Sequence, residues 1–349
     1  MKIFIRTIKN SALIFLTVLI LINISYPDQP SETLETWFKR GNLYLNQEKF
    51  EEAVYCFNKA LEYEKTNSFI LFNLGIVYSK MKKYDEAIEY YDKSLITDKN
   101  NTDALLNKAY CQSKMLKYGE AIDTLDMLLK INPDDEDALF NKAFFLGKTG
   151  KFEESIKVFD QMLVKIKNND DIYFLKGLAF INLKEYNKAI ESFEQAVKIN
   201  PDNTNAYFKL GYCFDQISNT EKAISMYGVC LKLNKDDQDA LFNIALIELK
   251  IKQYSKAFEY FDRIVKLNSD DFESWYYLGL CCKYSDKIND ALNCFTKSIA
   301  IKPDYARALI EKGILLIQTK KKDEGLKLME KGFKISPELR KEYSNSSNP

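Results

Sequence analysis

The sequence predicts an all-α protein, an α-solenoid of nine helix-turn-helix repeats with a constant period of 34 along the chain. Three observations support this fold class. Similar sequence segments recur at this period, and two unbroken series of small residues run through the chain at the same spacing. Each unit also carries two apolar stretches of helical period, joined by a short polar turn. The nine units run from Leu34 to Leu339 without an insertion.

The units repeat most clearly where one ends and the next begins. Lines that start one period apart, or a multiple of it, read TDKNNTDALLNKA, INPDDEDALFNKA, INPDNTNAYFKLG, LNKDDQDALFNIA, LNSDDFESWYYLG and IKPDYARALIEKG. In the second line, Asp134 and Asp135 are interpreted as turn and capping residues between two helices. A calcium loop of the helix-loop-helix type requires a glycine at its sixth position, where this chain has Leu139 or Phe140. The acidic run therefore predicts a junction between repeats and not a metal site.

Two series of small residues predict that the two helices of each unit approach closely. Glycine within a helix costs about 1 kcal/mol relative to alanine, and close helix contact offsets that cost. Large, mostly aromatic residues follow the second series by four positions and are predicted to pack between the helices. The first series is Gly41, Gly75, Ala109, Ala143, Gly177, Gly211, Ala245, Gly279 and Gly313, and the second is Ala53, Ala87, Ala121, Ser155, Ala189, Ala223, Ala257, Ala291 and Gly325.

Composition narrows the classes of function. The chain carries 50 Lys and Arg against 50 Asp and Glu, so it lacks the net positive charge of a nucleic-acid-binding protein. It contains no histidine, which is the side chain most used as a general base near neutral pH and the commonest metal ligand. The seven cysteines include no C-x-x-C pair and are expected to be buried packing residues. We expect no metal, no cofactor and no nucleic-acid partner.

Residues 1–27 differ from the rest of the chain and predict export. Lys2, Arg6 and Lys9 precede an uncharged stretch whose centre, ALIFLTVLILI, is almost wholly apolar. The segment is either a cleaved signal peptide or an uncleaved membrane anchor, since its length approaches the roughly 20 residues that span a bilayer. Both interpretations place the repeats in the cell envelope, either periplasmic or anchored in the membrane. Residues 28–33 are then a linker, 34–339 the repeats and 340–349 a polar C-terminal tail.

These features together resemble the tetratricopeptide repeat family. The family pattern has a large residue at position 4, small residues at 8 and 27, aromatics at 11 and 24, alanine at 20 and proline at 32. The unit that begins at Asp170 has the full set: Tyr173, Gly177, Phe180, Ala189, Phe193, Ala196 and Pro201. Gln112 and Glu248 stand where an aromatic is usual, and the last unit, which matches less well, is either loose or a cap. The resemblance implies a right-handed superhelix whose concave groove is lined by the first helix of each repeat.

By the same resemblance, positions 2, 5, 6, 9, 12 and 13 of each repeat face the groove. Position 2 gives an acidic row, and position 13 gives a basic row about 16 Å away at 1.5 Å per residue. Position 6, joined by position 9 of the first repeat, gives asparagines, whose amides both donate and accept and so can bind the backbone of an extended peptide. The candidate groove residues are Asn42, Asn73, Asn107, Asn141, Asn243, Asp103, Asp137, Asp171, Asp239, Lys80, Lys114 and Lys148.

Each row also has an explanation that involves no ligand. Acids in a first turn and lysines in a last turn stabilise a helix through its dipole. The asparagines also fit a chain that is rich in this residue throughout. At position 5, aromatic residues in seven of the nine repeats form either an apolar groove floor or a row of half-buried packing residues.

The sequence therefore predicts a non-enzymatic protein-protein interaction scaffold that binds an extended peptide or a partner protein in the concave groove. The alternative is a structural component of the cell envelope that self-associates or joins a membrane complex. An enzyme is disfavoured because the repeats leave no residues for a catalytic domain.

Overall fold

The computed structural model describes residues 32–345, and every regular element in that range is an α-helix. The chain divides into two compact units, unit 1 up to Lys184 and unit 2 from Glu185 onward. The predicted signal peptide or anchor, residues 1–27, and the linker up to residue 31 lie outside the described residues. Among the described helices, none combines the length and the apolar character needed to cross a membrane.

The helices follow the predicted period. In unit 1 they are α1 (Leu34–Asn46), α2 (Phe50–Tyr63), α3 (Ser68–Lys80), α4 (Tyr84–Thr97), α5 (Thr102–Lys114), α6 (Tyr118–Ile131), α7 (Glu136–Lys148), α8 (Phe152–Lys165) and α9 (Asp170–Asn182). In unit 2 they are α10 (Tyr186–Ile199), α11 (Thr204–Gln216), α12 (Thr220–Leu233), α13 (Gln238–Lys250), α14 (Tyr254–Leu267), α15 (Phe272–Tyr284), α16 (Ile288–Ile301), α17 (Ala306–Gln318), α18 (Lys322–Ile335) and α19 (Leu339–Asn345). Odd-numbered helices up to α17 are the first helices of repeats 1 to 9. Their starts follow one another at the predicted period without exception, which confirms the repeats.

Most first helices begin at an Asn or Asp whose side chain caps the helix. At the start of α7, the Asp135 carboxylate accepts a hydrogen bond from the backbone N–H of Ala138 at 3.1 Å. A cap of this kind stabilises a helix by about 1 kcal/mol. The predicted capping role of Asp135 is confirmed, while Asp134 pairs with Lys165 at 2.7 Å.

A residue in the left-handed conformation follows every first helix and turns the chain into the second helix. Its φ is 79° at Gly150 and lies between 57° and 67° in the other eight repeats. A non-glycine residue in this region costs roughly 1–2 kcal/mol. Those eight residues are Glu48, Lys82, Leu116, Lys184, Ser218, Lys252, Asp286 and Lys320. Because the conformation recurs with such varied side chains, helix packing imposes it.

The predicted pairing of a small residue with a large one holds the helices of a repeat together. A Cβ atom added to Gly41 would lie 2.6 Å from a ring carbon of Phe57, and one added to Gly279 would lie 2.6 Å from a ring carbon of Phe295. These distances leave no room for a side chain, so glycine is required at both places. The aromatic residues that follow the second small series are all buried, as predicted.

The last repeat is tightly packed and not loose. A Cβ atom added to Gly313 would lie 2.7 Å from the backbone oxygen of Gly325, so α17 and α18 approach to backbone contact. This close approach explains why the last repeat has glycine where most other repeats have alanine.

The segment predicted as a polar tail, 340–349, needs correction because it begins within a helix, α19. Leu339 is 6% exposed and belongs to one buried cluster with Ile310 of α17. The Glu342 carboxylate accepts two hydrogen bonds from the Arg307 guanidinium, at 2.8 Å and 3.0 Å. Helix α19 therefore covers the apolar face that α17 presents at the C-terminal end of unit 2.

Candidate functional site

The first helices of unit 1 form one continuous layer. Each of α1, α3, α5 and α7 touches the first helix of the next repeat as well as its own second helix. Residues at one repeat position therefore form rows that run from helix to helix. The candidate groove residues of unit 1 belong to these rows, and Asn243 and Asp239 lie in unit 2 on α13.

The acidic row lies in the first turns of its helices. Within unit 1, Asp103 and Asp137 are half-buried and Asp171 is exposed; we call these three residues the acidic edge. Asp239 of unit 2 is also exposed. The placement fits the helix-dipole explanation, and it also leaves carboxylates at the surface of the first-helix layer.

The basic row lies in the last turns. Lys80, Lys114 and Lys148 are exposed, and we call them the basic edge. The Lys114 ammonium lies over the Tyr110 ring, 5.1 Å from its centroid, and the Lys148 ammonium lies over the Phe144 ring at 5.2 Å. Both rings are half-buried, so the basic edge borders partly accessible aromatic surface. Burial raises the pKa of the Tyr110 phenol, which is therefore neutral at physiological pH.

Three of the predicted asparagines lie deeper than a groove-facing position suggests. Asn73, Asn107 and Asn141 are 6%, 4% and 2% exposed, whereas Asn42 and Asn243 are half-buried. Asn73 Nδ2 donates to the backbone oxygen of Phe69 at 2.7 Å, and Asn243 Nδ2 donates to that of Asp239 at 2.8 Å. These two side chains thus bond within their own helices.

Asn107 and Asn141 differ from the other asparagines. Within the described part of the chain, Asn107 Nδ2 and Asn141 Oδ1 are buried and have no hydrogen-bond partner. A buried polar atom without a partner costs about 1–3 kcal/mol, and most such atoms in folded proteins are satisfied. The two residues occupy the same repeat position on α5 and α7, so one unused donor and one unused acceptor lie in a single row.

The aromatic residues at position 5 are packing residues in several repeats. Phe72 and Phe140 are 4% and 6% exposed, and Leu106 between them is 1% exposed. The rings of Phe38, Phe174, Phe208 and Phe242 are half-buried. Burial on this scale favours the packing interpretation over an apolar groove floor, and in unit 1 the half-buried rings beside the basic edge are those of Tyr110 and Phe144.

Sequence analysis missed a row of ion pairs that joins successive repeats of unit 1. The Lys ammonium on a first helix lies 2.5 Å from an Asp carboxylate on the preceding second helix at three successive junctions. The pairs are Lys108 with Asp92, Lys142 with Asp126, and Lys176 with Asp160. Both residue types recur with the period of the repeat, so the signal was present in the sequence.

The fold defines an α-helical repeat protein, and in unit 1 its first helices stack into one layer. Family models of the tetratricopeptide repeat match residues 34–67, 68–101, 103–135, 205–236 and 239–271, and a model of the TPR repeat matches 177–218. Together these matches cover more than half of the chain, which belongs to the tetratricopeptide repeat family and is a protein-interaction scaffold. A short match to the model of the PPR repeat covers 145–165, across the turn from α7 to α8.

Two solved tetratricopeptide repeat structures support the same fold. The C-terminal part of a TPR repeat-containing protein from Cytophaga hutchinsonii is 17% identical over 69% of this chain and 99% of its own, with a TM-score of 0.62. A tetratricopeptide repeat protein from Parabacteroides merdae is 16% identical over 71% of this chain and 98% of its own, with a TM-score of 0.51. YrrB, described as a TPR protein with an unusual peptide-binding site, is 20% identical over 55% of this chain and 98% of its own, with a TM-score of 0.48.

The search of curated proteins found no match to this chain. At the identities above, the solved structures show the fold alone.

Proposed function

We propose that the chain is a non-enzymatic scaffold that binds an extended peptide segment of a partner protein across α3, α5 and α7 of unit 1. The observation that carries this proposal is the pair of unsatisfied amide atoms, Asn107 Nδ2 and Asn141 Oδ1. An extended peptide offers both a carbonyl oxygen and an N–H along its edge, so it can satisfy the donor and the acceptor together. Packed helices lie about 8–10 Å apart, which corresponds to roughly three residues of extended chain.

Binding requires the two amides to turn toward the groove, because Asn107 and Asn141 are 4% and 2% exposed. Turning is favoured when a peptide is present, since a new hydrogen bond removes the free-energy penalty of about 1–3 kcal/mol at each unsatisfied atom. In the unbound chain, both amides reduce stability. Binding of a peptide would account for their presence on successive repeats.

The two edges of this face determine the kind of peptide that fits. Carboxylate side chains on the peptide would bind the basic edge, where Lys114 and Lys148 are exposed. Aliphatic side chains would contact the accessible parts of Tyr110 and Phe144 beside those lysines. The acidic edge favours basic side chains on the opposite flank of the peptide. We therefore propose an extended partner segment with acidic and apolar residues on one side and basic residues on the other.

A peptide-library selection against the full chain, followed by titration of the selected peptides, tests this proposal. Asn107→Leu and Asn141→Leu each remove an amide while keeping a side chain of similar size. One hydrogen bond of about 1 kcal/mol corresponds to roughly a 5-fold loss of affinity per variant, and the double variant should lose more. The melting temperature of the unbound protein should stay the same or rise, because an unsatisfied buried atom is removed.

The matched control is Asn243→Leu, which removes an amide that is already bonded to its own helix in unit 2. This variant should bind the selected peptides with unchanged affinity. Wild-type affinity in a folded Asn107→Leu/Asn141→Leu variant would show that the peptides bind elsewhere. That result would contradict the proposed binding site.

We also propose that the chain is exported to the cell envelope, where it is either periplasmic or attached to the membrane through residues 1–27. The support is the basic flank and apolar centre of that segment. Protease added to intact spheroplasts should digest the repeats. Protection of the repeats until the inner membrane is lysed would place them in the cytoplasm.

A further inference from the structure

Two of the seven buried cysteines lie on the paired helices of one repeat, within one buried cluster. Cys282 lies on α15 and Cys294 on α16, and both are buried members of the same hydrophobic cluster. The two residues occupy positions 11 and 23 of repeat 8. All seven cysteines lie within the described residues, and no other two of them occupy this pair of positions in one repeat.

Positions 11 and 23 face each other in other repeats too. In repeat 2, the rings of Tyr78 and Tyr90 are stacked with their centroids 5.1 Å apart. In repeat 3, the Thr124 hydroxyl donates to Gln112 Oε1 at 2.9 Å. Contact between these positions is therefore a property of the repeat geometry. In repeat 8, both positions are occupied by cysteine.

Beside these thiols, the Phe295 ring of α16 packs directly against the backbone of α15. Gly279 lies one turn before Cys282, and Phe295 directly follows Cys294. A Cβ atom added to Gly279 would lie 2.6 Å from the Phe295 ring, so nothing larger than glycine fits between the helices there. A disulfide requires Cα atoms within roughly 4.4–6.8 Å of each other, and a glycine at this place lets the two helices approach.

We infer that Cys282 and Cys294 form a reversible disulfide that links α15 to α16 when the protein meets a low-molecular-weight disulfide such as oxidised glutathione. The Cys282 thiolate attacks one sulfur of oxidised glutathione, forms a mixed disulfide and releases one glutathione thiolate. Cys294 then loses its proton and attacks the Cys282 sulfur, which releases the second glutathione. Two electrons and two protons pass from the cysteines to glutathione, so the exchange is balanced.

The electrostatic surroundings assign the two roles. Interaction with the Cys294 thiol lowers the pKa of Cys282, and interaction with Cys282 together with burial raises the pKa of Cys294. Cys282 is therefore the better attacking thiol. Burial raises the pKa of Cys111 to about 11 and that of Cys281 to about 12, so these thiols are poor nucleophiles. Because Cys282 is 1% exposed, the oxidant gains access through local opening of the helix pair.

The test uses the full chain equilibrated with defined ratios of oxidised to reduced glutathione. The protein is then acid-quenched, unfolded and alkylated, and its free thiols are counted by intact mass. We expect seven alkylated thiols in the reduced protein, in agreement with the seven free cysteines, and a loss of two thiols on oxidation. Trypsin should yield a disulfide-linked pair of peptides that cover residues 267–283 and 288–297.

The adjacent residue Cys281 provides a matched control, since it lies in the same tryptic peptide as Cys282. Cys281→Ala should keep the cross-link, whereas Cys282→Ala and Cys294→Ala should each abolish it and leave six alkylated thiols. Full alkylation of the wild type in excess oxidised glutathione would overturn the inference. So would a cross-link that survives Cys282→Ala, or a cross-link between two molecules.

Discussion

Unit 1 and unit 2 share one repeat skeleton but join their successive repeats with different side chains. Position 7 of three first helices in unit 1 carries lysines that pair with aspartates of the preceding repeat. At the same position in unit 2, α11, α13 and α15 carry Leu210, Ile244 and Leu278, each at most 3% exposed. One geometric place is therefore filled by an ion pair in three repeats of unit 1 and by a buried aliphatic side chain in three repeats of unit 2, whereas Leu74 of α3 and Lys312 of α17 depart from this division.

The difference indicates a division of roles between the units. Partly exposed ion pairs contribute little to stability, whereas burial of a Leu or Ile side chain contributes about 1.5–3 kcal/mol. Unit 2 also contains a connected cluster of rings, in which Phe261 lies 5.7 Å from Phe242 and 5.3 Å from Tyr277 between centroids. We therefore expect the junctions between repeats of unit 2 to depend more on apolar packing than the three ion-paired junctions of unit 1 do.

The largest expected effect is that of Phe261→Ala on unit 2. Phe261 is fully buried in the ring cluster, so its truncation should lower the free energy of unfolding by about 3–5 kcal/mol. Each unit holds one tryptophan, Trp37 in unit 1 and Trp275 in unit 2, so Trp→Phe variants allow fluorescence-detected urea unfolding to follow the units separately. The unit 1 transition should not move. A loss below about 1 kcal/mol would show that the ring cluster is not what stabilises unit 2.

Alkaline pH should destabilise unit 2 through its buried thiols. Burial raises the pKa of Cys281 from 9.0 to about 12. The neutral thiol's contribution is fully present below pH 9, where the unfolded chain keeps its proton, and is lost as the pH rises toward 12. Each pH unit in that window costs about 1.4 kcal/mol, so the loss near pH 10.5 is about 2 kcal/mol.

The variant Cys281→Ala isolates this contribution. Urea unfolding of the reduced protein at pH 8 and pH 10.5 should show a pH-dependent loss that is about 2 kcal/mol smaller in the variant than in the wild type. Equal losses in the two proteins would mean that the thiol ionises in the folded state as easily as in the unfolded chain.

A smaller effect should come from the ion pairs of unit 1. The Lys142 and Asp126 side chains are 23% and 42% exposed, and a double-mutant cycle with Lys142→Met and Asp126→Asn should give a coupling free energy of about 0.5–1 kcal/mol. The coupling should decrease in 1 M salt, where the Debye length falls to about 3 Å. The control is the pair Lys165 and Asp134, which is 62% exposed on both sides and should give almost none. Equal coupling free energies in the two pairs would show that partial burial does not strengthen the ion pair.

Sequence reasoning predicted the features that depend on contacts within one repeat. The helix pair, the fit of Gly279 against Phe295 and the cap by Asp135 all follow from spacing along a single repeat. It did not predict features that depend on how neighbouring repeats meet. The burial of Asn107 and the pairing of Lys142 with Asp126 are set by the distance between adjacent helices. The recurrence of lysine and aspartate was visible in the sequence, but it does not encode that distance.

The C-terminal helix was missed for a related reason. Helix α19 has only seven residues and a largely polar sequence, and it is ordered by contacts with α17. The only local signal was the spacing of Leu339 and Tyr343, which places one apolar residue on each of two successive helical turns. That signal is too short to distinguish a helix from a tail until Ile310 of α17 is known to lie beneath it.

The smallest effect concerns the left-handed turn that both units share. Leu116 in unit 1 has φ 61° and is 72% exposed, so Leu116→Gly should relieve backbone strain without losing buried contacts. We expect a net gain of about 0.5–1 kcal/mol in the free energy of unfolding. The relief of backbone strain exceeds the cost of the greater freedom that glycine has in the unfolded chain. Asp286→Gly at the equivalent turn of unit 2 should gain less, because aspartate tolerates this conformation better than leucine does. Gly150→Ala should lower the free energy of unfolding by about 1 kcal/mol, because alanine is strained in the left-handed conformation. If Leu116→Gly destabilised the protein in urea unfolding, the turn would be held by contacts of the leucine side chain and not imposed by helix packing.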